Sequence, residues 1–172
     1  LKSKVAEELR VGNFLDGEIG LNDQGEFVAT TRLYSTEDAK LIHTRTFKSK
    51  DFFLLVDQIS LQIRKDIGVP LEHINTSKDL PLKDISTTSV EAFKYYSKGM
   101  HSIMNPDSEI SVTMDNMFTF FEKSFEIDET FAIVAMELAT VYQVTLQNPE
   151  KAAEISRKSL EHIYKLSERH QY

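Results

Sequence analysis

Glu122-Lys123-Ser124-Phe125-Glu126-Ile127-Asp128, followed by Phe131, Leu138, Ala139 and Tyr142, reads as the joint between two helical hairpins. Upstream of the joint, Met117, Phe118, Phe121 and Phe125 recur at helical spacing, predicting a helix from about Met114 to Ile127 with one apolar side. Downstream, Asp128 is suited to cap a helix carrying Phe131, Ala135, Leu138, Ala139 and Tyr142. Further out, Thr88-Ser89-Val90-Glu91 has the capping-box pattern, in which a hydroxyl accepts from the third amide and the Glu reaches back. That predicts a helix from Ser89 to about Met104, broken by Asn105-Pro106-Asp107. Asn148-Pro149 starts a fourth helix, because proline is preset for the first helical position and its missing amide would be an orphan there.

The first third is punctuated differently. A short helix is expected over Lys2 to Leu9, ending near Gly12. Leu15, Gly17, Ile19 and Leu21 then alternate along a first strand, and Asn22-Asp23-Gln24-Gly25 forms a turn. Phe27 to Tyr34 and Leu41 to Phe47 alternate in the same way, separated by Ser35-Thr36-Glu37-Asp38, so an antiparallel meander is predicted. Ser49 or Asp51 can cap the next helix, where Phe52, Leu55, Val56, Ile59, Ile63 and Ile67 form a stripe able to cover one sheet face. Gly68 and Pro70 end it. Residues 69 to 87, with Pro70 and Pro81, read as an extended connector and domain boundary.

Four successive helices call for a search for internal repetition. Gly99 and Ala139, each suited to close helix approach, lie 40 positions apart, and a longer loop over Asn105 to Asp115 absorbs the excess over a period of about 34 residues. Phe121 and Ser124, then Leu138, Ala139 and Tyr142, then Ala152 and Ser159, resemble the small and aromatic positions of tetratricopeptide repeats. The match is incomplete: Ala135 stands where a large aromatic often opens a repeat, Glu129 where a turn proline is common, and Met117 where a small residue is usual. The segment Gly12 to Val69, ending in Gly68-Val69, resembles the last part of a TolB-like amino-terminal domain. In bacterial signalling proteins that domain directly precedes such repeats. Ser86 to Ala92, Tyr96 to Gly99 and the closing run Leu166 to Tyr172 are similar to the flanking segments there.

The resemblance implies a cytoplasmic or periplasmic regulatory piece of a larger bacterial protein. Its relatives carry kinase, adenylate cyclase or DNA-binding effectors, often with a membrane anchor. The early strand and helix of the TolB-like domain are not seen ahead of Gly12, so a truncated fragment is expected.

Composition narrows the chemistry. The net charge of −7 is concentrated after residue 68, and an acidic chain repels phosphate backbones, which argues against nucleic-acid binding. No apolar run has the roughly 20 residues that span a bilayer. With no cysteine, disulfides and thiolate zinc sites are excluded. His43, His73, His101, His162 and His170 are scattered, none at the spacing that brings two imidazoles to one metal. Gly17-Glu18-Ile19-Gly20 lies inside a strand pattern without the following helix, Lys and Ser/Thr of a phosphate loop. Glu122, Glu126, Asp128 and Glu129 read as a solvated face and a cap rather than as catalytic carboxylates.

The expected fold is therefore α+β: a three-stranded antiparallel sheet with a covering helix over 1–68, a linker over 69–87, and an all-α pair of tetratricopeptide-like hairpins over 88–172. The expected function is non-catalytic binding of a protein or peptide partner, without cofactor or metal. Tyr95, Tyr96, Lys98, Phe120 and Tyr142 are the candidate contact residues, of which Phe120 falls off the main apolar stripe. An open sheet edge and an array of only two repeats suggest a homodimer. A small-molecule sensor, with ligand held between sheet and repeats, is the alternative.

Overall fold

The computed structural model describes residues 8–76, 80–104 and 114–166. The helix expected over Lys2 to Leu9 falls mainly outside these ranges, as do the loop after Met104, His170 and all but the first residue of the closing run. The chain divides into two compact units, Leu1–Asp79 and Leu80–Tyr172.

In the first unit β1 (Asn13–Leu21), β2 (Phe27–Ser35) and β3 (Leu41–Ser49) form an antiparallel sheet in sequence order. The first turn sets the register. The Asn22 side-chain oxygen accepts from the amides of Gln24 and Glu26, and Gly25 takes the positive φ of 72° that closes the hairpin. Leu15 then pairs with Leu33, Gly17 with Thr31 and Ile19 with Ala29 on one face. A bulge at Leu33/Tyr34 interrupts the second ladder.

Helix α1 (Phe52–Asp66) covers that face mainly over β3 and β2. Asp51 caps it by accepting from the amides of Phe53 and Leu54, while Ser49 accepts from the Asp51 amide. At its far end Gly68, at φ 80°, donates to Lys65 and Val69 donates to Arg64, the paired bonds of a Schellman stop. Leu55 is fully buried, and Phe53, outside the expected stripe, is buried beside it. Ile67, placed in the stripe by periodicity, is instead exposed where the helix unwinds. Arg45 of β3 clamps Asp66 of α1 with two bonds of 3.1 and 2.8 Å, which holds the Asp66 carboxyl below its ordinary range.

The connector is not extended as expected. It holds two short helices, α2 (Leu71–Thr76) and α3 (Leu82–Ile85), the first in one unit and the second in the other. Pro70 and Pro81 stand immediately before them, where a fixed φ favours helix entry and a missing amide costs nothing.

The second unit adds α4 (Val90–Met104), α5 (Met114–Ile127), α6 (Ala132–Val144), α7 (Pro149–Glu161) and a 3-10 turn at Ile163–Lys165. Its core gathers Ala92, Phe121, Phe131, Val134, Leu138 and Ile155. Two caps differ from expectation. Ser89, rather than Thr88, accepts from the Ala92 amide at the start of α4, one residue later than the capping-box reading. Asp128 caps no helix: it accepts from the Thr130 amide and hydroxyl and from the Thr87 hydroxyl, tying the approach to α4 to the turn between α5 and α6. Phe131 takes the cap position of α6, with its side chain wholly buried. Asn148, in contrast, caps α7 through the Lys151 amide as expected.

Candidate protein-binding face

The α4/α5 hairpin is drawn together by its small residues. A Cβ placed on Gly99 would lie 2.5 Å from Cε1 of Phe121, so glycine lets the ring lie flat against α4. One turn away the buried Ser124 hydroxyl donates to the Ala92 carbonyl at 2.8 Å. With α4 and α5 this close, their outward residues meet across the seam. The Tyr95 and Phe120 rings stand 6.3 Å apart. Lys98 Nζ lies 5.4 Å from the Tyr95 centroid and 5.5 Å from that of Phe120. Lys123 Nζ sits 5.7 Å from the Tyr95 ring. Both ammonium groups are exposed while the rings are half-buried, so the face combines apolar area with positive charge on an acidic chain.

Three of the five expected contact residues, Tyr95, Lys98 and Phe120, thus converge. Phe120 does so because it falls off the stripe of Met117, Phe121 and Phe125. Lys123 completes the group and was not singled out from the sequence. Its signal was nonetheless present: Tyr95 and Lys98 on α4, and Phe120 and Lys123 on α5, repeat the same aromatic-to-lysine spacing.

The other two lie elsewhere. Tyr96 turns inward, its ring 6.1 Å from Phe121 and 5.2 Å from Phe131. Burial, reinforced by Glu137, raises its pKa. Tyr142 of α6 packs edge-on against Phe118 at 5.2 Å and donates to Glu122 Oε1 at 2.9 Å. Its phenol is pushed up to about 12, first by burial and then by that carboxylate. It borders a separate cleft of about 240 Å³ between α5, α6 and α7, floored by Phe125, Leu138 and Ile155. There Lys158 pairs with Glu129 at 2.6 Å while lying 5.4 Å from the Phe125 ring, and Lys151 pairs with Glu154 at 3.0 Å, so both lysines of the cleft are already engaged.

Among the described residues no group of three His, Asp or Glu is placed to hold a metal ion, and no helix is long and apolar enough to cross a membrane. No protein-family model, curated protein or solved structure matches the chain.

Proposed function

We propose that this chain is a non-catalytic protein-interaction module whose second unit binds a peptide segment of a partner through the face made by Tyr95, Lys98, Phe120 and Lys123. The observation that carries the reading is the pairing of two ring–lysine units across one seam. Half-buried rings supply contact area at low entropic cost, and the adjacent ammonium groups select carboxylates. The segment recognised is one in which an apolar side chain is flanked by Asp or Glu.

The repetition of the two hairpins supports a tetratricopeptide character. Serine-to-alanine-carbonyl bonds join the helices of both, Ser124 to Ala92 and Ser159 to Ala132. Following a strand-rich unit, such hairpins fit the regulatory part of a bacterial signalling protein.

A peptide array probed with the 172-residue chain tests the binding reading. Sequences with acidic residues beside an apolar one are retained, retention falls as salt rises, and Lys98→Glu with Lys123→Glu weakens it by roughly tenfold or more. Retention unchanged in that double variant would overturn the assignment of the face.

A further inference from the structure

The cleft between α5, α6 and α7 has a floor and a rim of different kinds. Its floor is apolar: Leu138 and Ile155 are buried in the core of the second unit, and Phe125 packs against that core. Its rim carries four glutamates and two lysines, an excess of two carboxylates. Lys158 is held by Glu129 and Lys151 by Glu154, which leaves Glu122 and Glu126. These two stand four residues apart on α5. Glu122 accepts from the neutral Tyr142 phenol at 2.9 Å, and among the described residues Glu126 has no hydrogen bond or ion pair. Like charges at that helical spacing repel, so this end of the cleft lacks a cation.

The other end shows how the cleft holds one. Lys158 places its ammonium 2.6 Å from a Glu129 oxygen and 5.4 Å from the Phe125 centroid, so the charge is paired with a carboxylate while it lies over an aromatic ring. The same ingredients, carboxylates above an apolar floor, recur at Glu122 and Glu126. Size narrows the ligand further. A volume of about 240 Å³ falls below the roughly 300–1,000 Å³ of pockets for drug-sized molecules and suits a single side chain. Lysine meets both demands, because its methylene stem lies along apolar surface while its ammonium stays at the polar end.

We propose that this cleft receives one lysine side chain of a partner protein, with its stem on Phe125, Leu138 and Ile155 and its ammonium between Glu122 and Glu126. The site is opposite in charge to the face of Tyr95, Lys98, Phe120 and Lys123 and shares no residue with it, so it does not rest on that face. It is also separate from the apolar groove that ends at Leu166, the last described residue; the two have no lining residue in common.

Methyl and aromatic NMR of the 172-residue chain, with Nα-acetyl-lysine N-methylamide as the probe, tests the proposal. Saturable shifts are expected at the Leu138 and Ile155 methyls and the Tyr142 ring, with a Kd on the order of 1 mM because one side chain buries little area. Glu122→Gln combined with Glu126→Gln keeps an acceptor for the Tyr142 phenol, and it raises that Kd at least about tenfold with unchanged circular dichroism. Glu37→Gln combined with Glu72→Gln removes the same charge from the first unit and leaves the Kd unchanged. The Nε-acetylated probe, which lacks the ammonium, leaves the floor methyls unshifted. Floor shifts that are absent, that are shared by the Nε-acetylated probe, or that persist unchanged in the Glu122/Glu126 double variant would overturn the site. Cadaverine binding at least about tenfold more tightly than the capped lysine would overturn the partner assignment in favour of a free diamine. The glutamine exchanges leave peptide retention by the Lys98/Lys123 face intact, so failure of this site and failure of the peptide-binding reading are separately visible.

Discussion

Gly99 shows how one residue governs the spacing of a helix pair. Alanine is the better helix former by about 1 kcal/mol, but its methyl would stand 2.5 Å from a Phe121 ring that is only 1% exposed and has nowhere to move. Overpacking of this kind costs about 1–3 kcal/mol. Gly99→Ala is therefore expected to destabilise the second unit by up to about 2 kcal/mol, and Gly99→Val by more. Urea midpoints check this, and a rise in stability for either variant would contradict the packing. Asp128 gives a pH-dependent counterpart. Burial opposes its charge, but the hydrogen bonds from Thr87 and Thr130 prevail and hold the carboxyl below its ordinary value. A carboxyl with a depressed folded pKa contributes stability above its unfolded value, near 3.9, and loses it as pH falls through the folded one. Asp128→Ala should thus cost about 1–2 kcal/mol near neutrality, with the deficit shrinking as pH drops below about 4. A deficit constant from pH 7 to 3 would exclude this role. The capping function expected of Asp128 was misread because an acidic residue before an apolar run has the same local signature whether it caps a helix or ties a turn to a distant hydroxyl.

Most elements were legible because their start and stop signals are local. Asp51, Asn148 and Gly68 act through bonds spanning a few residues: α1 starts after Asp51 and stops at Gly68, and α7 starts after Asn148, as expected. Asp51→Ala removes the acceptor for two amides and is expected to cost about 1 kcal/mol, seen as a lower melting temperature and faster amide exchange at Phe53 and Leu54. The connector was less legible, since proline-rich polar stretches suit extended chain and short helices alike. Only packing with the rest of each unit selects between them. Similarly, the α1 stripe could be drawn by period, but whether Ile67 or Phe53 enters the core depends on where the helix unwinds and on which side of the sheet it rests.

At the scale of the whole molecule, the order of strands, covering helix and four helices is the expected α+β arrangement, with the chain dividing between Asp79 and Leu80. Each unit contains an incompletely covered apolar surface, on β1 in the first and between α6 and α7 in the second. The candidate site was half legible. Tyr95, Lys98 and Phe120 were named as contact residues, but their meeting with Lys123 joins two helices separated by a long stretch of sequence. By itself the sequence determined what acts over one or two turns: strand alternation, the long helices, the caps at Asp51 and Asn148, and the small residues that permit a hairpin. Which rings meet, which tyrosine turns inward, what Asp128 holds and which face of α6 stays open were decided by tertiary structure alone, because each depends on groups brought together by packing rather than by proximity along the chain.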